Sequence, residues 1–125
     1  LERVEATGVN FSGANLAATT VGGAEFVGAN FAAASLMGAR GERVVFSGSN
    51  LARADLSRSA LPGADFGGAN LAGARLSEAN LERADFSGAN LSRVQGLTQD
   101  QINDACGDAA TRLPNGLVVR TCRRR

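Results

Sequence analysis

Leucine or phenylalanine returns every fifth residue through most of the chain, at Phe11, Leu16, Phe26, Phe31, Leu36, Phe46, Leu51, Leu56, Leu61, Phe66, Leu71, Leu76, Leu81, Phe86 and Leu91. Only Val21 and Gly41 interrupt the register, and two residues before each position stands a small side chain, most often Ala. A period of five does not suit an α-helix, whose apolar stripe repeats near every 3.6 residues, and each Gly would cost a helical interior roughly 0.5–1 kcal/mol. Apolar positions two apart place both side chains on one side of an extended backbone. Each unit therefore reads as a short extended face followed by a bend.

Stacked coils set like residues above one another, so columns reveal how many faces close a coil. Phe pairs lie twenty residues apart four times, Phe11 with Phe31 and then Phe26, Phe46, Phe66 and Phe86 in succession, against twice at fifteen. Asn10, Asn30, Asn50, Asn70 and Asn90 keep the same step, as do Gly28, Gly48, Gly68 and Gly88. Four faces per coil follow. One face then carries an interior ladder of Phe26, Phe46, Phe66 and Phe86, and the opposite face carries Leu16, Leu36, Leu56 and Leu76, with Ala at the narrower inward positions. The seventeen units from Val9 to Arg93 make about four coils, a rod roughly 20 Å long at ~4.8 Å per coil.

The runs Ala14-Asn15-Leu16, Ala54-Asp55-Leu56, Ala69-Asn70-Leu71, Ala79-Asn80-Leu81 and Ala89-Asn90-Leu91 resemble the A-(N/D)-L-x-x consensus of the pentapeptide-repeat family. That resemblance implies an all-β solenoid, a right-handed quadrilateral β-helix of about four to five coils, in a family that is widely bacterial and often without assigned activity. Gly41 at a core position, Val45 and Arg75 in place of Asn or Asp, and Pro62 after a core Leu depart from the pattern. Gly41-Glu42-Arg43 is expected to mark a local bulge, with Val44 or Val45 filling the gap.

A solenoid exposes apolar layers and unpaired backbone at its ends unless something covers them. Residues 1–97 are read as the β-helix and 98–125 as a C-terminal cap. Thr98 with Gln101 forms a capping box, and Leu97 with Ile102 has the spacing of a hydrophobic staple, so a helix is expected from Gln99 to Cys106 with Gly107 ending it. Leu113 to Leu117 reads as a turn, and Leu117-Val118-Val119 as an extended return. At the other end Leu1, Val4 and Ala6 already fall in register, so residues 1–8 are expected to form an incomplete coil, covered by further residues, a second subunit in a homodimer, or solvent.

The chain holds no His and no Lys, and all 13 basic residues are Arg. Imidazole bases, Schiff-base amines and His metal ligands are thereby excluded, and no catalytic, cofactor or metal site is expected. A net charge of +1 argues against nucleic acid as partner, and no apolar run is long enough to span a membrane. Cys106 and Cys122 are the only thiols. A disulfide is the favoured reading, with two inert thiols and a metal or redox role as alternatives. A disulfide, and a start at Leu1 that fits removal of an export signal, point to a periplasmic or secreted protein, with the cytoplasm as the alternative.

Further candidate features read as structural. The Asn column is expected to hold its own turns or to stack amide on amide, with ligand binding as the alternative. Glu25, Asp65 and Asp85 form an acidic stripe beside the Gly column, Arg53, Arg58, Arg75 and Arg93 a diffuse basic surface, and Arg123-Arg124-Arg125 a charged tail. The favoured function is a non-enzymatic scaffold that binds protein. The alternative, implied by the resemblance, is a DNA-mimicking protein that protects gyrase, but nine acids against eight arginines through Leu97 is little charge for a mimic of a duplex with one charge per ~1.7 Å.

Overall fold

The computed structural model describes residues 1–123, so of the basic tail Arg124 and Arg125 lie outside the described residues. Most five-residue units close a tight turn in which the N–H of the inward small residue donates to the carbonyl three positions earlier, as in Ala14 to Phe11 at 2.9 Å and Ala54 to Leu51 at 3.0 Å; the unit at Gly41 lacks this bond. The third turn residue has φ between 57° and 72° in every unit from Arg3 to Arg93, the signature of a type II turn. Only three residues remain between successive turns. That is too short for a conventional strand, and the coils pair through isolated parallel bridges instead.

These bridges join residues twenty apart, in four columns that begin Glu5 with Glu25, Asn10 with Asn30, Asn15 with Ser35, and Thr20 with Arg40. A coil therefore has four sides. The inward positions build one continuous core. Phe46, Phe66 and Phe86 stack nearly parallel, with centroids 5.1 and 5.0 Å apart, and Phe26 continues the stack at 5.5 Å. Phe11 and Phe31 form a second stack that meets the first edge-on. Leu36, Leu56 and Leu76 are fully buried on the face opposite the longer Phe stack. Leu16 is only partly buried, because its coil is the first and no coil lies beneath it among the described residues.

Two departures from the repeat have simple physical readings. The expected bulge at Gly41 does not occur: Arg40 and Val45 keep the twenty-residue pairing on both sides. What the position lacks is room: a Cβ on Gly41 would lie 2.7 Å from the Gly22 Cα and closer still to the Gly22 amide nitrogen. Val44 is fully buried beside it, while Val45 stays in the outer column between Glu25 and Asp65. Pro62 suits its place. At most coils the second turn residue donates its N–H to an Asn or Asp side chain two residues back, but residue 60 is Ala, and Pro has no N–H to satisfy.

The C-terminal segment differs from expectation in its boundaries. Helix α1 spans Gln99–Asn103 and ends at the C-cap Asp104, not at Cys106. Cys106 cannot be helical because its backbone joins the solenoid, donating to the Ala84 carbonyl at 2.9 Å and accepting from the Phe86 N–H at 2.8 Å. It opens strand β1 (Cys106–Gly107), which pairs in parallel with β2 (Arg120–Thr121). The extended return thus lies past Val119. Val118 is held by α1 instead: the Gln99 amide accepts its N–H at 3.1 Å and donates to its carbonyl at 2.8 Å. The helix costs the ladder its register, so Asp85 pairs one residue late, with Cys106, and Asn90 two residues late, with Arg112.

Thr98 and Gln101 form both bonds of the capping box. The Gln101 amide also donates to the Leu76 and Ala79 carbonyls, at 2.7 and 3.1 Å, and Ile102 and Ala105 are fully buried. The helix sits on the last full coil through both its polar and its apolar side chains.

Candidate functional site

The Asn and Asp side chains of the outer faces are engaged in holding turns. All five amides of the column Asn10, Asn30, Asn50, Asn70 and Asn90 accept, through Oδ1, the N–H two residues ahead at 2.9–3.0 Å. The column holds the turns, as Asx residues do. In the acidic column Asp65 accepts from Gly67 at 2.8 Å and Asp85 from Ser87 at 2.9 Å, while Val45 separates Asp65 from Glu25. Asp65 and Asp85 are themselves neighbours in the ladder, each spending one carboxylate oxygen on its own turn.

The arginines occupy corners. Arg53 and Arg93 stand above and below Gly73, beside Gln95. On the diagonally opposite corner Arg3, Gly23, Arg43, Gly63 and Arg83 alternate. The alternation is steric, since the Arg3 Cγ lies 3.3 Å from where a Cβ of Gly23 would stand and the Arg53 Cγ equally close over Gly73. At these two corners the Arg stem lies across the Gly one coil on, and Arg43 lies at 3.6 Å in the same way over Gly63. Sequence reasoning missed the Arg3, Arg43, Arg83 column, although Glu-Arg at 2–3, 42–43 and 82–83 carries the signal at a two-coil spacing. Arg58 meets Glu78 at 3.1 Å, both about three-quarters exposed; a pair in that setting adds little stability. Arg75 lies on the adjoining face, bridged to Asp55 and Gln95.

The densest polar cluster lies where the C-terminal segment meets the last coil. Cys106 and Cys122 are joined by a disulfide, with Cα atoms 4.8 Å apart. The Cys122 Sγ lies 3.3 Å from Asp85 Oδ1 and 3.6 Å from Ser87 Oγ. Thr111 donates through Oγ1 to the Phe86 carbonyl at 2.8 Å, and Arg120 through Nε to the Ala105 carbonyl at 3.0 Å. Asp108 Oδ1 accepts the Gly88 N–H and the Ala110 N–H, both at 3.0 Å. Chiefly through the Gly88 bond, its carboxyl is held below the ordinary Asp range. That Asp85 faces the cysteines was not visible in the sequence, because the twenty-residue step from Asp85 points at residue 105 and the helix shifts the register by one.

No helix of the described residues is long and apolar enough to cross a membrane. No curated protein sequence matches the chain. Among solved structures it is similar to Rfr23, a pentapeptide repeat protein from the cyanobacterium Cyanothece 51142, at 22% identity over 89% of this chain and 88% of that one, with a TM-score of 0.63. Weaker likenesses are to trypsin-treated QnrB1, a plasmid-mediated fluoroquinolone resistance protein (20% identity, 96% of this chain, 79% of that one, TM-score 0.39), and to a pentapeptide repeat protein from the Arabidopsis thaliana thylakoid lumen (25%, 80% and 72%, TM-score 0.32). The Rfr23 likeness concerns the fold. A family profile for Pentapeptide repeats matches residues 24–61 and 59–95 in eight copies, more than half of the chain, and with four-sided coils twenty residues long the chain belongs to the pentapeptide-repeat family of right-handed quadrilateral β-helices.

Proposed function

We propose that this protein is a non-enzymatic scaffold that binds a protein partner along one side of its rod. One observation carries the reading: the Asn and Asp side chains of the outer columns are spent on their own turns, leaving flat, rigid faces along the repeats. Such a face is preorganised, so little conformational entropy is lost when a partner docks. Residues 98–122 serve as the lid of the last coil, and the bridged cysteines fit an oxidising compartment, periplasmic or extracellular. At the other end Leu1 and Val9 are 46% and 40% exposed, and a second subunit seated there is the homodimeric form of the scaffold, which sedimentation would reveal.

The test is a face scan. Asn50→Arg with Asn70→Arg, Asp65→Arg with Asp85→Arg, Asp55→Arg with Arg75→Glu, and Arg40→Glu with Ala60→Arg each change one of the four sides of the rod. Capture of a partner from the source organism should be abolished by one pair and spared by the others. Capture insensitive to every pair would overturn the lateral-face reading. The DNA-mimic alternative predicts inhibition of gyrase supercoiling at micromolar protein, and the near-balanced charge of the repeats predicts none.

A further inference from the structure

We infer that reduction of the Cys106–Cys122 bond creates a binding site for a single thiophilic divalent cation of the zinc class, with Asp85 as its third protein ligand. The ligand atoms of Asp85, Cys106 and Cys122 all lie within 4.8 Å of one another, and all three residues are partly buried. With zinc–sulfur bonds of about 2.3 Å and zinc–oxygen bonds of about 2.0 Å, a tetrahedral site has sulfur–oxygen edges of about 3.5 Å and sulfur–sulfur edges of about 3.8 Å. Cys122 Sγ already stands at such an edge from two oxygens, Asp85 Oδ1 at 3.3 Å and Ser87 Oγ at 3.6 Å. The two sulfurs must part, and the Cys106 sulfur must settle at the same edge from Asp85, from which it stands no more than 4.8 Å away.

The neighbourhood is built to keep these groups in place. Asp85 is anchored through Oδ1 to the Ser87 N–H and by its backbone to Ala64 and Phe66, one coil below. Cys106 is fixed in the ladder by its bonds to Ala84 and Phe86, and the Cys122 N–H donates to the Gly107 carbonyl at 3.0 Å. None of these bonds needs the disulfide. The fourth position falls to Ser87 Oγ or to a water beside it. The sequence alone offers two thiols and no imidazole, too few ligands for a closed site, and the missing one comes from a different coil.

The chemistry balances with a named reductant. A phosphine takes up the oxygen of one water and passes two electrons to the disulfide, which with the two protons of that water becomes two thiols. Binding of the cation then releases two protons as both sulfurs become thiolates. The disulfide and the metal-bound pair are mutually exclusive states: the first closes a loop within the C-terminal segment, the second also ties that segment to Asp85 of the last coil.

The experiment uses the full chain and Co²⁺ as probe. Protein reduced by a phosphine and freed of it under argon should bind one Co²⁺ per chain, with thiolate-to-metal charge transfer and the intense visible bands of a tetrahedral site. Oxidised protein should show neither. Asp85→Asn keeps an oxygen for the Ser87 N–H and so keeps the fold, yet should weaken binding at least about tenfold, since even outer partners of a metal site are worth that much. Asp65→Asn, the same change one coil below, should leave the affinity unchanged. A reduced wild-type protein without thiolate bands, or an Asp85→Asn variant that binds as tightly as the parent, overturns the assignment.

Discussion

Nine residues other than glycine sit in the left-handed region, six of them arginine, with φ between 57° and 61°. Each L-residue there costs about 1–2 kcal/mol, and the solenoid accepts the cost because every corner requires that conformation. Ala33 (φ 59°) is exposed and has no charge to lose. Ala33→Gly should therefore raise stability by roughly 0.5–1 kcal/mol after the loss to the looser unfolded chain, the reverse of the usual sign; a lower melting temperature would contradict it. Gly41 inverts ordinary logic in the other direction. Its repeat position asks for Leu, yet a Cβ would meet the Gly22 backbone, so Gly41→Leu should destabilise the protein, as thermal melts would show. The sequence makes the vacancy at 41 plain, but suggests a bulge, because spacing alone cannot show how closely the Gly22 backbone approaches. Likewise the choice of Asn or Asp is legible as a pattern, whereas its partner, the N–H two residues on, depends on the turn geometry.

At the scale of single elements the column is the unit of stability. Phe66 is fully buried between Phe46 and Phe86 at 5.1 and 5.0 Å, and Phe66→Ala should cost about 3–5 kcal/mol in denaturant titrations. Arg58→Ala loses only an exposed ion pair and should cost under ~1 kcal/mol; equal effects would refute the layered core. The C-terminal segment adds a pH dependence. Asp108 has a folded value below its unfolded one, so its stabilisation is present above the unfolded value of ~3.9 and is lost as pH falls through the lower folded value. Asp108→Asn, which keeps the accepting oxygen and removes the charge, should flatten that acid limb of the melting curve. Columns were legible because six Phe and five Asn mark the twenty-residue step. The boundaries of α1, β1 and β2 were not, since a segment that occurs once has no second copy to disclose its register, and ladder bonds overrode helical pattern at Cys106.

Across the whole molecule, each coil is bonded only to the coils on either side of it, so stability is close to a sum of local and nearest-neighbour contributions. The same twenty-residue periodicity acts as a reading frame for insertions and deletions. Excising residues 46–65 removes one whole coil and leaves every later column on its own side of the rod, and that shortened chain should still melt cooperatively, at a lower temperature. Excising only residues 46–50 removes a quarter as much protein, yet rotates everything downstream by one side, bringing Phe66 over Gly41 and Val21 and off the column of Phe26, and the acids over a different neighbour. The smaller deletion should be the more damaging of the two. Lineages of such rods are then expected to lengthen and shorten by twenties, with fives tolerated only near an end, where few coils lie beyond the cut.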